Sequence, residues 1–245
     1  MGGEFEDSSR RARRVSRELR AALTDLGGVL LPTECVGCGA WDEMVCDRCL
    51  AQILGEPQVL DLELAGIPGF AVANYEGAMR RFVLAGKHDP RLDLRSYFAA
   101  AGENAAVLAA RLGVMRCHRE VFVVPAPSTT PGASSPVAGA FATGIMSGLV
   151  KSGVASQSGV LEVLKMRPGT KKQAGLGYSQ RVTNRHHRMT LVAPGAGSEL
   201  SGVAAVLVDD VSATGSTLRE MARVLQGVGT EILGGFVFAT SQFSQ

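Results

Sequence analysis

Apolar and polar positions along this chain fall into two alternating patterns, short apolar runs and longer stretches of helical period. Residues 203–208 form a continuous apolar run rich in β-branched side chains. Residues 121–129 (VFVVPAPST) carry a second such run. Runs of this kind suit strands buried on both faces of a parallel sheet. Further strands are predicted at 70–75, 160–164 and 231–240. Between them lie helix patterns. Residues 78–85 place Met79, Phe82 and Val83 on one face, about 94–112 is Ala-rich, and 136–151 and 218–225 follow. Near the N-terminus, Val15, Leu19, Ala22, Leu23 and Leu26 recur at helical spacing through 10–26, with arginines on the other face. No internal repeat interrupts this order. Strands alternating with helices imply right-handed βαβ units, hence an α/β fold with a parallel sheet flanked by helices.

The remaining stretches read as connections. Residues 54–68 contain Gly55, Pro57, Gly66 and Pro68 and read as a hinge. Residues 130–135 and 191–201 are loops rich in small residues. Residues 165–189 are basic and too polar for a core, which predicts a hairpin-like loop and then a short helix from Ser179. The expected organisation is a basic tail and amphipathic helix over 1–29, a small module over 30–54 and the main domain over 66–245.

Chemistry concentrates where the run at 203–208 ends. Asp209 and Asp210 follow it, then Ser212-Ala213-Thr214-Gly215-Ser216-Thr217, then the helix from Leu218. Backbone N–H groups, hydroxyls and a glycine at a helix N-terminus form a phosphate cradle. The two carboxylates stand where they can bind the hydroxyls of a sugar carrying that phosphate. The loop also lies at the C-terminal end of a strand, where ligands bind in parallel α/β folds. An acidic pair in this position can instead be a cap or a surface pair, but the following TGST loop favours the ligand reading.

The formal net charge of +2 over 245 residues makes no case for nucleic acid by itself. Basic residues cluster at 10–20 and 165–188, each readable as a solvated face or a contact surface. No apolar run is long enough to span a membrane, and no secretory pattern opens the chain, so a cytoplasmic location is expected. Four of the five cysteines form two CxxC pairs, Cys35/Cys38 and Cys46/Cys49. Two such knuckles can close a tetrahedral structural zinc site. Cys117 stands apart and reads as a buried thiol. His186 and His187 have no acid or cysteine at ligand spacing and read as solvated.

At VLVDDVSATGST the chain resembles type I phosphoribosyltransferases, whose signature is an apolar tetrad, two acids and a TG-containing loop. The likeness implies that Asp209 and Asp210 bind the ribose hydroxyls of phosphoribosyl pyrophosphate (PRPP). It implies that Ala213, Thr214, Gly215, Ser216 and Thr217 hold the 5′-phosphate. Other blocks resemble the ComF (GntX) family. They are Leu30-Leu31-Pro32 before the CxxC pairs, Tyr75, Gly77 and Lys87 in YEGAMRRFVLAGKH, the VVPAP strand, and Gln173, Leu176, Arg181 and Asn184 in the basic loop.

That resemblance implies a type I phosphoribosyltransferase-like sheet with a small N-terminal zinc module. Pro125, Ala126, Pro127 and Ser128 would approach pyrophosphate. Lys165, Arg167, Lys171, Lys172, Gln173 and Arg181 would form a basic loop closing over it. The implied reaction moves phosphoribosyl from PRPP to a nitrogen acceptor, with Mg²⁺ on the diphosphate. Asp209 and Asp210 would be its catalytic pair, holding the ribose and stabilising its cationic state. The family context also implies a role in DNA uptake, with a competence helicase and single-stranded DNA as partners. One block departs: the family's RGFN-type segment is replaced at 134–141 by SSPVAGAF, without Arg or Asn. This departure favours binding without efficient turnover. Two readings therefore stand, a PRPP-dependent transferase and a PRPP-fold regulatory or DNA-associated protein. Lys87 can belong to the site or simply pair with a surface acid.

Overall fold

The computed structural model describes residues 34–64, 66–128, 133–167, 188–192 and 199–242. The centre is a six-stranded sheet. Its strands are β1 (Gln58–Leu60), β2 (Gly69–Asn74), β3 (His118–Pro125), β4 (Ala155–Val160), β7 (Ala204–Ser212) and β8 (Glu231–Thr240). They are ordered β1-β2-β8-β7-β3-β4, and all pairings are parallel except β1 with β2. A separate antiparallel ribbon joins β5 (Leu164–Met166) to β6 (Met189–Leu191). The five described helices are α1 (Asp47–Ile53), α2 (Gly77–His88), α3 (Arg95–Arg111), α4 (Pro136–Lys151) and α5 (Ser216–Gln226). The α/β architecture with a mostly parallel sheet is as expected.

Side chains of a strand point alternately to its two faces. On β7, Val206 and Val208 enter a core shared with Phe70, Phe82, Phe98, Phe141 and Phe238 from one side of the sheet and its helices. Ala205 and Leu207 enter a second core with Leu218, Met221 and Leu225 of α5. Burial on both faces is why the run at 203–208 has no polar alternation. Helices α3 and α4 approach through small residues: a Cβ on Gly144 would overlap the Ala99 carbonyl, and one on Gly102 the Phe141 carbonyl.

Strand order positions the site. The chain leaves β3 through α4 towards β4, and leaves β7 through α5 towards β8 on the other side. The connections diverge, which opens a crevice above the C-terminal ends of β3 and β7.

Three expectations change. Within the stretch expected as a hinge, residues 58–60 are instead a strand, since β1 pairs with β2 at the sheet edge over Gln58↔Ala71 to Leu60↔Gly69. Cys35, Cys49 and Ile53 belong to the same core as Phe70 and Val72, so the cysteine module packs against the main domain. The strand expected at 160–164 is two elements, β4 and β5, with 161–163 between them. Strand β4 (ASQSGV) carries no apolar run because it is an edge strand with polar, exposed positions. Cys117 is exposed, since it sits in the connection before β3 and outside both cores. The helix expected at 10–26, the basic tail and the helix from Ser179 lie outside the described residues.

Candidate functional site

The acidic pair ends the buried part of β7, and both residues are themselves buried. Alternation sends the two side chains to opposite faces. Asp210 turns towards α2, where Lys87 Nζ donates to its Oδ1 at 2.7 Å. Asp209 turns towards α5, where the Thr217 hydroxyl donates to it. Asp209 Oδ1 also accepts the Asp210 N–H at 2.8 Å. Burial pushes the Asp209 carboxyl up to about 7, and the Asp210 charge adds to this. The Asp210 N–H, Lys87 and Thr217 pull the other way.

The loop after the pair is shaped by two contacts. Gly215 adopts a left-handed conformation at φ 71° immediately before α5, a position that favours glycine. Its N–H donates to Ser212 Oγ at 2.8 Å. Strand β8 fixes the loop's base, with Thr240 Oγ1 and the Ser241 N–H both donating to the Ser212 carbonyl at 3.0 and 3.1 Å. The first N–H groups of α5 have no partner within the helix. Together with the helix dipole they favour an anion. The loop borders a cavity of about 310 Å³, with Met166, Arg188, Met189 and Glu220 completing its wall.

The loop after β3 lies beside β7. The Ala126 N–H donates to the Val208 carbonyl at 2.7 Å, one residue before the acidic pair. Pro127 bridges to Ser134, and the Ser128 N–H donates to the Ala133 carbonyl at 2.9 Å. Ser134 Oγ donates to Glu162 at 2.6 Å, and α4 begins with Pro136. Pro125–Ser128 are thus close to the acids in the sheet.

No family model matches the chain, and no curated protein matches it. One solved structure that matches is the allosteric regulatory enzyme of purine biosynthesis. The match covers 57% of this chain and 26% of that one, at 15% identity and a TM-score of 0.33. The chain therefore spans about a quarter of that enzyme's length.

Other predicted residues fall elsewhere. Lys165 Nζ donates to the Val192 carbonyl, and with Arg167 and Arg223 it lines a second cavity, on the β5–β6 ribbon. Lys171, Lys172, Gln173 and Arg181 lie outside the described residues. Glu220 and Arg188 were not singled out from sequence, and the partner of Lys87 was not readable there. Glu220 shares a helix face with Ser216, a spacing that was readable. Arg188 closes the basic stretch at 165–188 but has no spacing signal. The partnership of Lys87 with Asp210 spans 123 residues.

The four cysteines converge as the CxxC spacing predicts. Their Sγ atoms all lie within 4.8 Å of one another. A tetrahedral Zn–S₄ site with bonds of about 2.3 Å has sulfur–sulfur edges of about 3.8 Å, so the donor set fits zinc. The first knuckle is a turn closed by the Gly39 N–H to the Cys35 carbonyl, and Cys46 caps α1. Burial raises the Cys35 thiol, but the N–H groups of Cys46, Cys38 and Gly37 outweigh it and bring it down to about 6. Burial and hydrogen bonds from the neighbouring thiols raise Cys49. Arg81 Nε of α2 donates to the Gly37 carbonyl at 2.5 Å, tying the module to the domain. Among the described residues no helix is long and apolar enough to cross a membrane.

Proposed function

We propose that this chain binds a ribose 5-phosphate ester, with PRPP as the intended ligand, on a type I phosphoribosyltransferase-like scaffold. One observation carries the reading. Strand β7 brings two buried acids and a left-handed-glycine loop at a helix N-terminus to the switch point of a parallel sheet. The loop N–H groups and hydroxyls take the 5′-phosphate. Asp209 and Asp210 take the ribose hydroxyls, for which Lys87 must yield part of its hold on Asp210. The loop at Pro125–Ser128 is the nearest candidate for the pyrophosphate end.

The reaction proposed is transfer of phosphoribosyl to a nitrogen acceptor. The bond from C1 to pyrophosphate breaks, the ribose becomes cationic, and the acceptor's lone pair forms the new C1–N bond. Two fixed carboxylates beneath the sugar stabilise that charge without reorganising. A carboxylate beside a bound diphosphate also suits Mg²⁺, and because Asp209 and Asp210 face opposite sides of the sheet, one of them would hold it there. When bound, Mg²⁺ would neutralise the leaving diphosphate.

Binding with little turnover is the second reading, and the start of α4 favours it. Where a cationic segment would face pyrophosphate, Ser134 is engaged with Glu162, and Val137 and Ala138 are buried. Membership of the ComF family, and with it a role in DNA uptake beside a helicase and single-stranded DNA, rests on the sequence resemblance alone. Steeply salt-dependent binding of single-stranded DNA would support that role.

Calorimetric titration of the full chain with PRPP and Mg²⁺ tests the binding site. Heat that disappears in Asp210→Asn is the expected result, and no heat in the wild type overturns the reading. Pyrophosphate release with a panel of nitrogen acceptors then separates the transferase from the binding protein.

A further inference from the structure

Around the cavity beside the Ser212–Thr217 loop, one charge has no counterpart among the described residues. Glu220 lines this cavity and is buried. It accepts Arg223 Nε and Nη2, both at 2.8 Å, and the Met189 N–H at 3.2 Å. Its charge is therefore balanced from its own helix. Arg188 lines the same cavity. Its Nε is shielded from solvent and has no hydrogen-bond partner, and its side chain forms no ion pair among the described residues. Arg81, Arg219 and Arg223 behave differently, each donating to a carbonyl or a carboxylate. A guanidinium is always charged, and a buried N–H without an acceptor is costly. Such a group persists where something supplies the acceptor.

The backbone on both sides of Arg188 is fixed. Its carbonyl accepts the Arg167 N–H at 2.8 Å, and Met189 pairs with Met166 in the ribbon. The side chain is delivered to the cavity by a rigid frame. The first-turn N–H groups of α5, which have no acceptor within the helix, lie at the same cavity at the positive end of the helix dipole. All the uncompensated groups have one sign, and all are donors.

We propose that Arg188 is the side-chain arm of a phosphomonoester site whose main-chain arm is the Ser212–Thr217 loop. This rests on the ribose 5-phosphate reading above and adds to it the residue that grips the phosphate from the ribbon. The planar guanidinium offers paired donors to two phosphate oxygens, a geometry that an ammonium cannot reproduce.

Calorimetry on the full chain with ribose 5-phosphate, ribose and inorganic pyrophosphate tests this, using wild type, Arg188→Gln, Arg188→Lys and Thr217→Ala. The expected result is binding of ribose 5-phosphate but not ribose. Arg188→Gln should weaken that binding by about 10- to 100-fold, the loss typical of one charged hydrogen-bonding group. Arg188→Lys should recover only part of it. Because Arg188 Nε has no hydrogen-bond partner to lose among the described residues, Arg188→Gln should melt within about 2 °C of wild type. Unchanged ribose 5-phosphate affinity in Arg188→Gln, with binding lost in Thr217→Ala, overturns the role of Arg188 and leaves the site reading intact. A loss confined to pyrophosphate also overturns it, by assigning the arginine to the leaving group. Absence of ribose 5-phosphate and PRPP binding in the wild type overturns both.

Discussion

Lys87 on α2 holds Asp210 at the end of β7 through a 2.7 Å ion pair, with Lys87 one-quarter exposed and Asp210 nearly enclosed. It is the cation placed directly against an acidic pair that burial makes costly. Replacing it with methionine leaves two buried carboxylates without that partner. Lys87→Met should lower stability by about 1–3 kcal/mol at pH 8 and by less at pH 5, where Asp209 can take up a proton. Urea denaturation at the two pH values checks this. A deficit that does not depend on pH would show that the pair does not couple to Asp209.

Asp209 predicts a second pH effect. Its carboxyl is raised from the ordinary 3.8 to about 7, by burial first and by Asp210 second. Between these values the folded chain holds a proton that the unfolded chain has released. The resulting stability is complete below about pH 4 and is lost as pH rises through about 7. Asp209→Asn removes this dependence. Relative to wild type, the variant should gain about 2–3 kcal/mol between pH 5 and pH 8. Ligand binding should run the other way, strengthening from pH 6 to pH 8 in the wild type as Asp209 ionises.

The cysteine cluster should carry one zinc per chain, measured by elemental analysis of freshly purified protein. Cys35 and Cys49 share a core with Phe70 and Val72, so the module should not melt separately. Chelation, or Cys49→Ser, should lower the midpoint of a single cooperative transition. Two well-separated transitions in the metal-loaded protein would contradict this packing.

The α3–α4 contact gives a prediction remote from the site. Gly144→Ala puts a methyl group into the Ala99 carbonyl, where backbone has to move. A loss of about 1–3 kcal/mol or more is expected. Gly159→Ala on β4 is the control. There the nearest atom is a Phe122 ring carbon at 3.6 Å, an ordinary contact, and stability should change little. Thermal melts of the two variants separate close packing from loss of glycine as such.

Much of this was readable locally. The apolar run of β7, the Asp209-Asp210 pair, the Gly215 turn and the start of α5 are contiguous, and each follows from the preferences of neighbouring residues. The CxxC knuckles are local in the same way, and their spacing is enough to indicate convergence. Helices α2 and α4 were legible from their inward faces and from Pro136 at an N-terminus. Strands β1 and β4 were not, because edge strands bury few side chains and are held by ladder hydrogen bonds to a neighbour far along the chain.

By itself, then, the sequence determined that a glycine-containing loop and a helix start follow two acids at a strand end, and that four thiols can meet. Only the tertiary structure decided what faces them. The strand order set β7 between β3 and β8. Packing of α2 beside the strand end sent Asp210 to Lys87, and the separate β5–β6 ribbon brought Arg188 to the cavity beside the loop. The physical reason is range. Backbone preference and periodicity act over a few residues, whereas the pairing of charges across the sheet depends on crossover connections that no local pattern records.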